Sequence, residues 1–190
     1  MTQARLPSLL ALAAAATMLS ACSTMTPASR YSQDSLPDSI KVPAGNVVAM
    51  ETRATGELTY ECKDKAAMPG QLEWTFVGPK ATLADRAGKA VGTYYGPPAT
   101  WQAADGSKVS GTQLAVAPSG PGNIPFQLVK VNPVNPANPA SGAGAMLGTT
   151  YIQRVALQGG AAPASGCSAD TRGQRTVVNY QADYIFWKAM

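Results

Sequence analysis

The stretch Gly56-Glu-Leu-Thr-Tyr-Glu-Cys62 decides the fold class, because apolar and polar residues alternate along it. The alternation places Leu58, Tyr60 and Cys62 on one face, and Gln71-Leu-Glu-Trp-Thr-Phe76 repeats the pattern. A period of two residues is typical of a strand with one face in a core. We therefore predict two half-buried strands in this part of the chain.

The rest of the chain continues this pattern. Its apolar runs are separated by turn signals, such as Asp85-Arg-Ala-Gly88 and Asp105-Gly106, which are typical of hairpin connections. No window of useful length repeats apolar residues at helical spacing. The sequence therefore predicts an all-β fold, a single antiparallel β-sandwich or barrel-like domain. The other predicted strands are Asn46–Met50, Ala90–Tyr95, Val109–Val116, Ile124–Val131, Met146–Leu157 and Thr176–Trp187.

Residues 1–21 have the pattern of a bacterial export signal. A positively charged start precedes an apolar run of 11 residues, Leu9–Leu19, whereas a membrane-spanning helix needs about 20. The following Leu19-Ser20-Ala21-Cys22 resembles the lipobox of bacterial lipoproteins, which implies a lipid on Cys22 and membrane attachment through it. The alternative is an ordinary secretory signal with a chance cysteine. Because Ser23 rather than Asp follows the cysteine, we predict a lipid-anchored protein of the cell envelope, in the outer membrane.

Composition divides the remaining chain into three parts. Residues 22–40 are polar and contain proline, which predicts a flexible tether. A β-rich domain follows over residues 41–190 and is interrupted near 132–144 by three x-Asn-Pro units and a Gly- and Ala-rich run. Repeated proline excludes a central strand, so this segment is interpreted as a mobile loop. A displayed ligand for a partner is the other interpretation.

The charge pattern argues against nucleic-acid binding. Only 14% of residues are charged, against about 25% in an average globular protein. Without the signal, 14 Lys and Arg face 11 Asp and Glu, which leaves a net charge near +3 (14 − 11). These basic residues are scattered and form no stripe.

Export suggests a role for each of the three cysteines. If Cys22 carries lipid, Cys62 and Cys167 remain in an oxidising compartment, where disulfides persist. We predict that they pair. Two separate buried thiols are the alternative.

Several kinds of chemistry are excluded by the residue content. The chain has no histidine, which removes Ser-His-Asp and Cys-His catalysis and the usual catalytic zinc sites. Two cysteines cannot complete a tetrahedral metal shell, so we predict no metal, no cofactor and no catalytic residue. Carboxylate chemistry of the glycosidase kind remains. However, Glu57 and Glu61 would lie about 13 Å apart along a strand, and Asp85 and Asp105 are typical of turns.

Aromatic residues around a proline turn suggest where a ligand could bind. Tyr94, Tyr95 and Trp101 flank Gly96-Pro97-Pro98, and exposed aromatic rings commonly stack on sugars or partner surfaces. Core packing is the alternative for Trp101 and for one of the tyrosines. With Asp105 and Arg154 these residues form the candidate ligand site of Tyr94, Tyr95, Trp101, Asp105 and Arg154.

Arg154 has a second interpretation. It shares its alternating face with Ile152 in a strand that is predicted to be half buried. A buried guanidinium requires a partner, and Asp105 or Asp183 could form a structural ion pair with it.

Short motifs in a fixed order extend from Val42 to Lys188. They are Gly56, Tyr60, Cys62, Trp74, Ala81, Leu83, Asp85, Gly88, Val91-Gly-Thr93, Tyr95-Gly-Pro97, Trp101, Asp105-Gly-Ser107, Ile124-Pro125, Tyr151-Ile-Gln-Arg154, Gly159-Gly160, Pro163, Cys167, Tyr180, Ala182, Tyr184 and Phe186. In these motifs the chain resembles the family called domain of unknown function 3455, found in bacteria and fungi. The resemblance implies an exported β-rich domain with no established activity. Two departures stand out: the family commonly has His at the position of Tyr94, and the stretch Gly96–Trp101 is longer than the family's Gly-Pro-x-Trp.

Two functions remain from the sequence. The first is a non-catalytic binding or structural module of the envelope, whose partner is a glycan, a protein or a small ligand. The second is a hydrolase or lyase that acts on envelope polymers with carboxylates, or with tyrosine and Arg154.

Overall fold

The computed structural model describes residues 31–66, 68–133 and 144–190, and in them eight antiparallel strands form one sheet that closes into a barrel. Each strand pairs with its neighbour in sequence, and the last strand pairs with the first. The all-β prediction is confirmed, and the closure of the sheet selects the barrel over the sandwich. The strands are β1 (Asn46–Lys65), β2 (Met68–Ala84), β3 (Ala90–Tyr95), β4 (Thr100–Ala103), β5 (Lys108–Ala117), β6 (Phe126–Val131), β7 (Thr149–Gly159) and β8 (Arg175–Ala189).

Some predicted boundaries change. The predicted strands 46–50 and 56–62 are one continuous strand, β1, because it pairs with β8 along almost its whole length. The short β4 was not predicted, since four residues are too few for a pattern of alternation. The turns at Asp85–Gly88 and Asp105–Gly106 are confirmed: the Asp85 carboxylate accepts hydrogen bonds from the amides of Ala87 and Lys89.

One end of the barrel, which we call the closed end, is filled by apolar side chains. It contains the β2–β3 and β4–β5 turns and the turn before β7. Met146 on that last turn is only 1% exposed. Its amide donates to the Ser107 hydroxyl, and the Ala145 amide donates to the Asp105 carboxylate at 2.8 Å. These bonds hold the turn across the barrel so that Met146 packs into the core.

At the opposite end, which we call the open end, inward-facing side chains reach solvent. Phe76 shares the inner face with Tyr60, its partner across the sheet, and is 50% exposed. Val116 shares the inner face with Gln127 and is 45% exposed. Leu83, an inward-facing residue of the closed end, is fully buried, so these inward side chains are more exposed at the open end.

The predicted tether is wrong for residues 31–40, which pack against the outside of the barrel. Ile40 is fully buried in an apolar cluster that includes Ile185 and Trp187 of β8. Hydrogen bonds add to this apolar packing: the Gln153 side chain of β7 accepts a hydrogen bond from Tyr31 and donates one to the Ile40 carbonyl. The folded domain therefore already includes Tyr31.

The predicted disulfide is confirmed between Cys62 and Cys167, with Cα atoms 5.3 Å apart. It attaches the segment before β8 to the part of the β1–β2 hairpin that extends beyond the barrel. Trp74 strengthens this attachment, since its indole N–H donates to the Ser165 carbonyl at 2.8 Å.

Two predicted features lie wholly or partly outside the described residues. The signal and the lipid site Cys22 are outside them, as are residues 134–143 of the predicted Asn-Pro-rich loop. The described ends of that loop are held by contacts. Asn132 bonds to Ser110 and Thr112, and a Cβ on Gly144 would lie 2.5 Å from the Ser107 side chain.

Candidate ligand site

The barrel interior brings Tyr94 and Trp101 together, as opposite residues of β3 and β4. Their rings stack with centroids 4.6 Å apart, and both side chains are buried. Tyr184 of β8 packs against both rings, at centroid distances of 5.0 and 5.6 Å. Tyr94 and Trp101 are therefore core residues, which was the alternative interpretation.

Tyr95 and Asp105 lie elsewhere. Tyr95 points out of the barrel, is 38% exposed, and donates from its hydroxyl to the Gln102 side chain at 3.0 Å. Asp105 lies in the β4–β5 turn at the closed end, where its carboxylate accepts from the Ser107 amide and hydroxyl. The five predicted site residues do not form one site.

Arg154 does lie inside the barrel, half buried, between the centre and the open end. It is opposite Gln127 of β6 and Tyr184 of β8, so these three side chains share the inner face. Its Nε and Nη2 atoms donate to the Pro125 carbonyl at 3.3 and 2.9 Å. Tyr184 links Arg154 to the Trp101 ring across the barrel.

The predicted ion pair of Arg154 with Asp105 or Asp183 is wrong. Asp105 is at the closed end, and Asp183 lies outside the barrel because it alternates with the inward-facing Tyr184. There its carboxylate accepts from Arg86 at 2.8 Å and lies 3.5 Å from Arg53. In the described ranges, the ion pairs include none formed by Arg154.

A group of tyrosines surrounds the guanidinium instead. Burial raises the pKa of the Tyr94, Tyr180 and Tyr184 hydroxyls, and the charge of Arg154 lowers it against that larger effect. The phenols therefore stay neutral at physiological pH. The Tyr60 hydroxyl donates to the Gly160 carbonyl at 2.6 Å, and the hydroxyls of Tyr180 and Tyr184 lie 3.5 Å apart.

Sequence reasoning did not select Tyr60, Tyr180, Tyr184 or Gln127 as site residues. The alternation in β8 places Tyr180 and Tyr184 on the face that points inward, which was a usable signal for these two. Gln127 gives no such signal, because its neighbours become known only from the register between β6 and β7.

Two polar atoms on inward-facing side chains have no hydrogen-bond partner within the described part of the chain. They are the indole Nε1 of Trp101 and the amide Oε1 of Gln127. The Trp101 side chain is fully buried. A buried donor or acceptor without a partner costs about 1–3 kcal/mol, so such atoms point to an interacting group that the protein itself does not supply.

Several of the described carboxylates form ion pairs outside the barrel interior. Glu51 binds Arg86, and Glu61 and Asp64 pair with arginines on the β8 side. Across residues 31–66, 68–133 and 144–190 no group of three or more Asp, Glu, Cys or His side chains could hold a metal ion. No described helix is both long and apolar enough to cross a membrane.

Two shallow grooves on the outer surface share Thr55, Gly56 and Glu57. One of about 460 Å³ extends towards Lys80 and Tyr95, and the other of about 510 Å³ extends towards β8. Their lining residues are mostly outward-facing, and they contain none of the atoms without a partner. The open end of the barrel is therefore the better candidate site.

The sequence model of a family described as "Protein of unknown function (DUF3455)" matches residues 43–188. Comparisons with curated proteins and with solved structures give no match.

Proposed function

Since the chain belongs to the family of proteins of unknown function DUF3455, we propose from its site that it is a non-catalytic binding module of the bacterial envelope, with a small ligand that enters the open end of the barrel. Eight-stranded barrels are wide enough to hold one small ligand. The ordered closed end would serve as the floor of the site, and the half-buried polar side chains near the open end would contact the ligand.

The uncompensated charge of Arg154 carries this proposal. A guanidinium in a partly desolvated place costs free energy unless it is paired, and among the described residues no carboxylate forms an ion pair with it. The Pro125 carbonyl accepts hydrogen bonds from the guanidinium but does not neutralise its charge. A ligand that neutralises the Arg154 charge would bind more tightly, because the free protein already bears the desolvation cost of that unpaired charge.

The contacts of the described carboxylates and tyrosines do not support the alternative function, a hydrolase or lyase. Glu51, Glu61 and Asp183 bind arginines, and Asp85 and Asp105 accept hydrogen bonds in turns. Burial raises the pKa of the interior phenols, which disfavours them as bases at neutral pH.

The envelope location rests on the sequence and on the disulfide. A disulfide is typical of an oxidising compartment, and the lipobox-like Leu19–Cys22 would attach a lipid. Since the folded domain includes Tyr31, only residues 23–30 separate it from Cys22, a reach of at most about 30 Å. We therefore propose that the domain sits close to the outer membrane.

Binding is tested by native mass spectrometry of the full chain, purified in detergent and incubated with envelope extract. The wild type is expected to carry a bound small-molecule mass that Arg154→Met loses. Arg175→Met is the matched control, because Arg175 pairs with Glu61 outside the barrel. The proposal fails if the wild type binds nothing or if Arg154→Met keeps the same mass.

The lipid anchor is tested separately. Cys22→Ser is expected to abolish membrane fractionation, and the wild-type protein is expected to carry the lipid by mass spectrometry. A wild-type protein that is free in the periplasm without lipid would contradict the anchor and leave the binding proposal standing.

A further inference from the structure

We propose that the ligand of the open end is a small monocarboxylic acid that carries hydroxyl groups, with its carboxylate on Arg154. This inference rests on the proposed function and specifies its ligand. It follows from two properties of the described side chains that face the interior: the cation Arg154, and two polar atoms without partners.

The charge of the site defines the charge of the ligand. Arg154 is the cation that lies opposite Gln127 and Tyr184 on the inner face, and the tyrosines around it are neutral. One carboxylate balances this charge, whereas a doubly charged phosphate would leave excess negative charge in a partly desolvated site. A planar carboxylate also matches the geometry of a guanidinium.

The guanidinium has donors left for such a group. It carries five N–H groups, and the Pro125 carbonyl accepts from Nε and Nη2. This leaves the two N–H groups of Nη1 and the second one of Nη2 for a ligand.

The two polar atoms without partners define the rest of the ligand. Trp101 Nε1 is a donor that needs an acceptor, and Gln127 Oε1 is an acceptor that needs a donor. A hydroxyl group supplies both functions, which an apolar acid would not.

The chain contains a built-in reporter for this site. Of its three tryptophans, Trp74 donates its indole N–H to Ser165 and Trp187 donates to Gln153. Trp101 alone among them lacks a partner in the described structure. The three indole N–H signals in a ¹H–¹⁵N NMR spectrum, assigned by single Trp→Phe variants, therefore give one reporter and two controls.

The test titrates full-length protein in detergent with glycerate and gluconate, and with acetate, glycerol and inorganic phosphate as comparisons. Glycerate or gluconate is expected to shift the Trp101 signal and leave the Trp74 and Trp187 signals in place. Acetate should bind more weakly because it has no hydroxyl, and glycerol should not bind because it has no charge.

Variants of Arg154 show whether its charge is needed for ligand binding, separately from any effect on folding. Arg154→Met is expected to weaken binding of the hydroxy acids at least about tenfold, as expected for loss of a charge-assisted hydrogen bond. Arg154→Lys should keep part of the affinity, and Arg175→Met should keep all of it. Unchanged Trp74 and Trp187 signals show that a variant is folded, and Arg154→Lys keeps the test valid if Arg154→Met does not fold.

The inference is overturned if no hydroxy acid moves the Trp101 signal, which would mean that ordered water alone satisfies Trp101 and Gln127. It is also overturned if phosphate or acetate binds more tightly than the hydroxy acids. If either happens while the wild type still carries an Arg154-dependent mass from envelope extract, only the ligand class is wrong. If that mass is missing too, the proposed function fails with it.

Discussion

The closed and open ends of the barrel use the same strand pattern for different purposes. At the closed end, the inward side chains Leu83, Phe186 and Met146 are buried, and a turn is bonded across the barrel to Asp105 and Ser107. At the open end, the inward residues Phe76 and Val116 are exposed, and Arg154 has no carboxylate partner in the described structure. Apolar packing therefore stabilises one end, whereas the other end keeps features that cost stability and would favour a ligand.

The open end carries the Cys62–Cys167 disulfide, which we expect to stabilise it. Loss of the Cys62–Cys167 disulfide is expected to have the largest effect, up to about 4–5 kcal/mol in the chain-entropy model for a sequence separation of 105 residues. Thermal unfolding with and without reductant should show a fall in Tm of several degrees or more. An unchanged Tm after complete reduction would mean that contacts such as Trp74–Ser165 hold this end by themselves.

Matched truncations test whether packing differs between the ends. Met146→Ala removes a side chain that is 1% exposed and is expected to cost about 2–5 kcal/mol by chemical denaturation, through lost burial and a new cavity. Phe76→Ala is the control at the open end, where the side chain is 50% exposed, and should cost less than about 1 kcal/mol. Equal losses would contradict the division into a closed and an open end.

Arg154→Met tests what the interior cation contributes to stability. Breaking a buried ion pair by removing one partner costs about 3–5 kcal/mol, because it leaves an unpaired charge. Arg154 has no such partner in the described structure, so we expect a loss below about 2 kcal/mol from its bonds to Pro125. A loss of 3 kcal/mol or more in denaturant unfolding would indicate a structural role for the charge.

The smallest expected effect is a pH dependence at the closed end. Hydrogen bonds from the Ser107 hydroxyl and from the Ala145 amide lower the pKa of Asp105. Because the folded-state pKa lies below the unfolded value of about 3.9, this stabilisation is present above that value and is lost as the pH falls through the folded-state pKa. Asp105→Asn should therefore show a smaller fall in Tm between pH 7 and pH 3 than the wild type, whereas Arg154→Met should show the same fall.

The candidate site could be predicted only in part. Arg154 and Trp101 were selected from the sequence and are both near Tyr184 inside the barrel. Tyr95 and Asp105 were grouped with them because they are close to Trp101 in sequence. However, Tyr95 follows the inward-facing Tyr94 in a strand and therefore points outward, and Asp105 lies in the turn at the closed end. Gln127 was missed, since nothing local marks it.

The sequence by itself determined the all-β class, the two turns with Asp-x-x-Gly and Asp-Gly, and the pairing of the cysteines, because these depend on alternation, turn chemistry and cysteine number. Only the tertiary structure decided that the sheet closes, that residues 31–40 belong to the domain, and that Arg154 has no carboxylate partner. These three depend on the register between strands that are distant in sequence, such as β1 with β8. A shift of one residue in that register would turn every inward side chain outward, and no local pattern specifies it.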